Sequence, residues 1–224
     1  MNFDILNTDE VDFNKITFTE SNLSSLSKSL NIDYTYPSNN IDSLRIATPW
    51  IDLLSINDNS CLLSLKVMSN EPKMQNIYEF IKNFDKYVIN SSKKNNWFDS
   101  NDYSKIRYRK SFLKSTSIHE AQDDTKDGWI YPVIRCNTLN SEAFNKNGES
   151  VLFSELKGNQ KVKVALECCG LWIKDNKFGA TWRVLQFLIG TSLTKDIEYS
   201  FKDSDDEDEN NNLIYDSEFT DIDY

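Results

Sequence analysis

Residues 161–174 and 180–190 are two long, mostly apolar runs separated by Asp175-Asn176-Lys177-Phe178-Gly179. Two such runs around a turn-forming segment predict a β-hairpin. Both runs are longer than ordinary open strands and suit the curved, bulged strands of a small barrel. Gly170 lies inside the first run and permits the bend that such a strand needs. The hairpin therefore commits the C-terminal half of the chain to β-structure.

The preceding segments fit the same architecture. Residues 44–48 predict a strand ended by Pro49, and residues 61–68 a clearer one. A helix is expected next. Asn70 can cap it, Pro72 suits its first turn, and Ile77, Phe80, Ile81, Phe84 and Val88 recur at helical spacing. It should end near Ser91, with Lys82, Asp85 and Lys86 outside. Residues 106–112 alternate with period two, and residues 129–135 predict a strand that Pro132 demotes to an edge or a bulge. The sum is a mainly β protein: an OB-like antiparallel barrel of five to seven strands with a helix inserted after the third. The expected domains are a polar N-terminal segment with weak strands (1–42), the barrel (43–202) and a disordered acidic tail (203–224).

Charge is distributed unevenly. The tail holds ten carboxylates and no Lys or Arg, which equals the whole net charge of −10, so residues 1–202 balance. Like charges at this density repel one another and cannot bury enough apolar surface to fold. Yet Leu213, Ile214, Tyr215, Phe219, Ile222 and Tyr224 punctuate the tail, as in disordered segments that dock. Docking and solubility are the two readings of such a tail. Its candidate partner-binding residues are Asp205, Asp206, Glu207, Asp208, Glu209, Tyr215, Phe219 and Tyr224.

Residues 82–114 are basic, with nine cations against Asp85, Asp99 and Asp102. Aromatics are interleaved. Phosphates call for cations and unpaired bases for flat π faces, so this pairing points to a single-stranded nucleic acid. The candidate contacts are Lys93, Lys94, Trp97, Lys105, Arg107, Tyr108, Arg109, Lys110 and Lys114. The hairpin adds Trp172, Lys174, Lys177, Trp182 and Arg183. The competing reading is a solvated sheet face over an aromatic core; for Trp97 or Tyr108 it weighs at least equally, and for the hairpin residues Trp172 and Trp182 the core reading weighs more than the stacking one. Arg183 is hard to place in a core, because a buried unpaired guanidinium is costly.

Signals of catalysis are missing from the sequence. It has no phosphate loop, no GxGxxG, no HExxH and no GxSxG. His119 has no recognisable partner, and the acidic stretch 119–127 reads better as a surface loop than as a metal site. Cys61, Cys136, Cys168 and Cys169 form no CxxC pair, which suits reduced, mostly buried thiols. No apolar stretch reaches the length of a membrane span, and none follows a basic start. The expectation is a non-enzymatic intracellular protein with no cofactor, no metal and no membrane contact.

Several stretches resemble the single-stranded DNA-binding proteins of short-tailed phages and their relatives in large nucleocytoplasmic DNA viruses. They are Thr48-Pro49-Trp50, residues 158–165, Leu171-Trp172-Ile173, Phe178-Gly179-Ala180-Thr181-Trp182-Arg183-Val184 and the acidic tail ending in Tyr224. The resemblance spans residues 44–224. Tyr224 stands where the phage tails typically carry Phe, and residues 1–42 lie outside the resemblance. It implies an OB barrel that binds single-stranded DNA without sequence preference. It also implies a tail that competes with DNA and contacts the replicative DNA polymerase or helicase, a homodimer, and action in viral replication, recombination or repair within a viral compartment of the host cytoplasm or nucleus. The alternative is a viral protein-interaction module, a virion or transcription-complex component whose acidic tail is the binding element.

Overall fold

A computed structural model describes residues 4–21, 28–65, 71–98, 103–113 and 132–190. Lys114, the 119–127 stretch and every named tail residue lie outside these ranges. The strands are β1 (Ile16–Ser21), β2 (Lys28–Thr35), β3 (Ile41–Ser43), β4 (Arg45–Ala47), β5 (Ile51–Ile56), β6 (Ser60–Ser64), β7 (Arg107–Arg109), β8 (Phe112–Leu113), β9 (Val133–Asn137), β10 (Glu142–Asn145), β11 (Gln160–Lys174) and β12 (Lys177–Ile189). One α-helix, α1 (Pro72–Lys94), falls between β6 and β7.

Five strands close into a barrel. β11 pairs β5, β5 pairs β6, β6 pairs β9, β9 pairs β12, and β12 returns to β11. In chain order this is 1-2-3-5-4-1. Four of the contacts are antiparallel, and the third and fifth strands meet in parallel at Asn137 and Arg183. That is the OB-fold arrangement. Two details differ from expectation. The helix follows the second barrel strand, not the third. β9 is an interior strand flanked by β6 and β12, and Pro132 stands just outside it, where its missing N–H costs no ladder bond.

The barrel interior follows the period-two pattern. Ile51, Leu53, Cys61, Leu63, Ile134, Cys136, Val162, Val164 and Phe187 are buried. Helix α1 packs Met74, Ile77, Phe80, Ile81, Phe84 and Val88 inward as one stripe, and Phe84 meets the Trp182 ring edge-on at 5.1 Å. Pro72 opens the helix, where its fixed φ helps, and Lys93 and Lys94 lie in its last turn, favourable to its dipole. It runs one turn beyond Ser91. Asp85, expected outside, is buried.

The hairpin forms as predicted, with a two-residue loop. Asp175 and Asn176 have φ of 49° and 57°, the mirror-image turn that matches strand twist. Gly170 has φ of 133°, and a Cβ there would meet the Leu30 carbonyl oxygen at 2.5 Å. The register shifts between Cys168 and Gly170. This bulge inverts parity along β11. Val162, Val164, Leu166 and Cys168 face inward before it, and Leu171 and Ile173 after it. The distal half of β11 also pairs with β2, which ties the N-terminal β1–β3 meander to the barrel.

Candidate nucleic-acid interface

The parity inversion determines what the tip of the hairpin displays. Beyond the bulge Trp172 pairs with Gly179 and Lys174 with Lys177. β7 adds a third strand in parallel, aligning Arg109 with Gly179 and Arg107 with Lys177. Two rows therefore cross one face: Trp172–Gly179–Arg109, then Lys174–Lys177–Arg107. Strand geometry spaces the rows ~6.7 Å apart and the strands ~4.8 Å. Lys174, Lys177, Arg107 and Arg109 are exposed and Trp172 is half-buried.

Glycine at 179 is what this face requires. A Cβ there would come within 3.0 Å of Trp172 Cζ2 and 3.1 Å of the Arg109 carbonyl oxygen. The six-membered ring of the Trp172 indole thus sits close beside the backbone of β12 at Gly179. A groove of about 290 Å³ adjoins it. Ala180, Thr181 and Trp182 contribute from β12, Arg109 and Lys110 from the β7 side, Arg135 and Asn137 from β9, and Asn59 from the β5–β6 loop.

The proposed site residues separate into groups. Arg107, Arg109, Lys110, Trp172, Lys174 and Lys177 come together on this face. Lys105 is exposed in the short turn before β7. Lys93 and Lys94 are exposed at the end of α1, and Lys94 lines a different groove, between α1 and β1, with Phe18 and Asn90.

Four expectations need correction. Trp97 is buried and packs edge-on against Phe18 at 4.8 Å. Trp182 is 2% exposed and donates its Nε1–H to Ser111 Oγ at 3.2 Å. Tyr108 packs on Phe178 and donates its hydroxyl proton to Asp85 Oδ1 at 2.7 Å. The rings of Trp97 and Trp182 are covered and cannot offer a face to a base, whereas Tyr108 is half-buried, with its ring against Phe178 and its hydroxyl held by Asp85. Arg183 is held by Glu167, which also accepts from Arg45 Nε at 3.1 Å, while Arg45 forks onto Asp42 at 2.8 and 3.0 Å. Arg183 is thus part of a structural ion network, not an open phosphate contact. The Arg45 guanidinium holds the Asp42 carboxyl below its usual range.

Sequence reasoning missed Arg135, Asn59 and Gly179. Arg135 was accessible to it: in Val133–Asn137 the apolar Ile134 and Cys136 alternate with Arg135 and Asn137, which places the last two outside. Asp85 was also missed. Burial pushes its carboxyl pKa up, while bonds from Ser111 and Tyr108 pull the other way. Among the described residues, no group of three or more His, Cys, Asp or Glu side chains could hold a metal. No described helix is long and apolar enough to cross a membrane.

The fold is a closed OB-like barrel, and its β11–β12–β7 face carries exposed cations beside Trp172. The chain belongs to a family of unknown function (DUF5871), whose model matches residues 54–203. No curated protein matches it. Solved structures similar to it include the single-stranded DNA-binding protein from bacteriophage Enc34. In complex with ssDNA, that protein matches at a TM-score of 0.42 and 10% identity, covering 79% of this chain and 97% of that chain. Its C-terminal truncation matches at a TM-score of 0.41 and 11% identity, covering 79% and 96%. A further structure of the same phage protein matches at a TM-score of 0.42 and 12% identity, covering 86% and 99%.

Proposed function

We propose that this protein binds single-stranded DNA without sequence preference and catalyses no reaction. The carrying observation is the pair of rows on β11, β12 and β7, where the exposed Arg109 shares a row with the Trp172 indole beside Gly179, and exposed Lys174, Lys177 and Arg107 form the next row. Cations track a phosphate chain irrespective of its sequence, and an indole face stacks on any base for ~1–3 kcal/mol. Arg135 and Lys110 extend the cationic path along the groove. The groove lies on the outer surface of the barrel, reached from the β5–β6 loop and from the β11–β12 hairpin, as OB-fold oligonucleotide sites are.

Within this reading the protein protects single strands during viral DNA replication, recombination or repair. Its acidic tail competes with DNA for the same cations at a high effective concentration, and recruits a replicative polymerase or helicase once DNA has displaced it.

Fluorescence anisotropy with oligo-dT tests the proposal. Affinity should fall with salt at a slope of ~0.7 per phosphate neutralised, and duplex of equal length should bind far more weakly. Changing Arg107, Arg109 and Lys110 together to Ala should weaken binding to every sequence alike. Equal affinity for duplex, or wild-type binding by the triple variant at two salt concentrations, refutes the reading. Deleting residues 203–224 should raise affinity most at low salt, and an unchanged affinity there removes the competition by the tail.

A further inference from the structure

Between β7 and β8 the chain changes neighbours. β7 lies beside β12, and β8 lies beside β9. Lys110 and Ser111 make the crossing, so the chain passes over the edge of the groove at the point where Arg109 and Lys110 stand. A side chain of α1, Asp85, holds this crossing. Asp85 of α1 is 6% exposed. It accepts from Tyr108 Oη at 2.7 Å, from Ser111 Oγ at 2.6 Å and from the Ser111 backbone N–H at 3.0 Å. Ser111 Oγ in turn accepts from Trp182 Nε1 at 3.2 Å.

The direction of these bonds is informative. Backbone and indole N–H groups can only donate. Trp182 therefore donates to Ser111 Oγ, whose own proton goes to Asp85. Three donors converge on one side chain, and only an ionised carboxylate accepts from all of them without offering a proton in return. The two tethered residues, Tyr108 and Ser111, flank Arg109 and Lys110. On the helix Asp85 is surrounded by residues that pack or face solvent, and a charge buried here is worth its desolvation only where such bonds meet it.

We infer that Asp85 is a positioning residue for the interface: its carboxylate pegs the crossing so that Arg109 and Lys110 face the groove. The inference rests on the single-strand reading above. It assigns the helix a part in binding, although the peg touches no nucleic acid. Asn at this position presents one acceptor and one N–H₂ group, so at least one of the three donors loses its partner.

Full-length protein, Asp85→Asn and Tyr108→Phe are compared by limited trypsin digestion with mass-spectrometric mapping and by oligo-dT titration across salt. Trypsin cuts after Arg109 and Lys110, so it reads the peg without DNA. Asp85→Asn should be cut there roughly tenfold faster, the scale of losing one hydrogen bond to a charged group. Its salt slope should fall by ~0.7 for each of the two cations released. Tyr108→Phe keeps the ring on Phe178, removes one donor and should fall between. Unchanged cleavage at Arg109 and Lys110 in Asp85→Asn overturns the peg. Faster cleavage with a wild-type slope overturns its role in binding and leaves a structural bond. Failure of the wild-type protein to bind oligo-dT refutes the single-strand reading itself, an outcome visible before either variant is used.

Discussion

The two halves of the β11–β12 ribbon carry the same residue types and put them to opposite uses. In the distal half Trp172 lies beside Gly179 at the surface, with exposed Lys174 and Lys177 in the next row. In the proximal half Trp182 is sealed against Phe84, and Arg183 is bound to a buried glutamate. Composition does not distinguish them. Parity and cross-strand partner do. Trp182 shares the inward face with Cys168, whereas the bulge at Gly170 turns Trp172 outward. Arg183 sits opposite Glu167, while the cross-strand neighbour of Arg109 is Gly179. An aromatic-basic cluster in a sequence is therefore two populations, which only pairing separates.

The largest expected contrast is between the two tryptophans. Trp182→Ala should cost ~3–5 kcal/mol of stability in urea unfolding. Trp172→Ala should stay within about 1 kcal/mol of wild type in stability while losing ~1–3 kcal/mol of oligo-dT affinity. Equal destabilisation by both would erase the distinction between the halves.

The two arginines come next. Glu167→Gln leaves Arg45 and Arg183 without their shared charge and should destabilise by roughly 3 kcal/mol. Arg109→Ala should change stability by no more than about 0.5 kcal/mol and lower the salt slope of binding by ~0.7. A normal salt slope in Arg109→Ala would reduce the distal face to a solvated surface.

Gly179→Ala sharpens the comparison within the distal half. The added methyl meets Trp172 and the Arg109 carbonyl, so the indole must lift, at a cost of ~1–3 kcal/mol. Quenching of tryptophan emission by oligo-dT should shrink with it. Quenching as in wild type would mean that the indole does not need the glycine beside it.

The smallest effect is on pH. Burial raises the folded pKa of Asp85 above the ordinary carboxylate value of about 3.9. The folded state then holds this proton more tightly than the unfolded chain. Its contribution to stability is fully present below the unfolded pKa and is lost as pH rises through the folded one. Wild type should therefore lose stability relative to Asp85→Asn as pH climbs from 3 through that window. The opposite slope would mean that the hydrogen bonds outweigh burial.

Much of the architecture was legible. The hairpin, the helical stripe from Met74 to Val88 and the strands around Arg45 and Cys61 were all read from apolar periodicity and turn chemistry. The position of the helix in the strand order was not, because residues 44–56 contain two short strands that both pair with β11. Asp85 was misplaced for a related reason. Its charge marked it as outward, and no local pattern reveals three donors arriving from residues 108 and 111.

By itself, the sequence determined that this chain is a β-rich barrel with a long bulged hairpin, a balanced body and an acidic end. These properties are local: periodicity, turn residues and charge density act within a few residues of each other. Tertiary structure alone decided which aromatics are covered and which cations are neutralised. Glu167 reaches both Arg45 and Arg183, separated by more than half the chain, and Asp85 tethers a crossing that runs between two sheet neighbours. Burial and ion pairing depend on distances through space, and those are set only when the barrel closes.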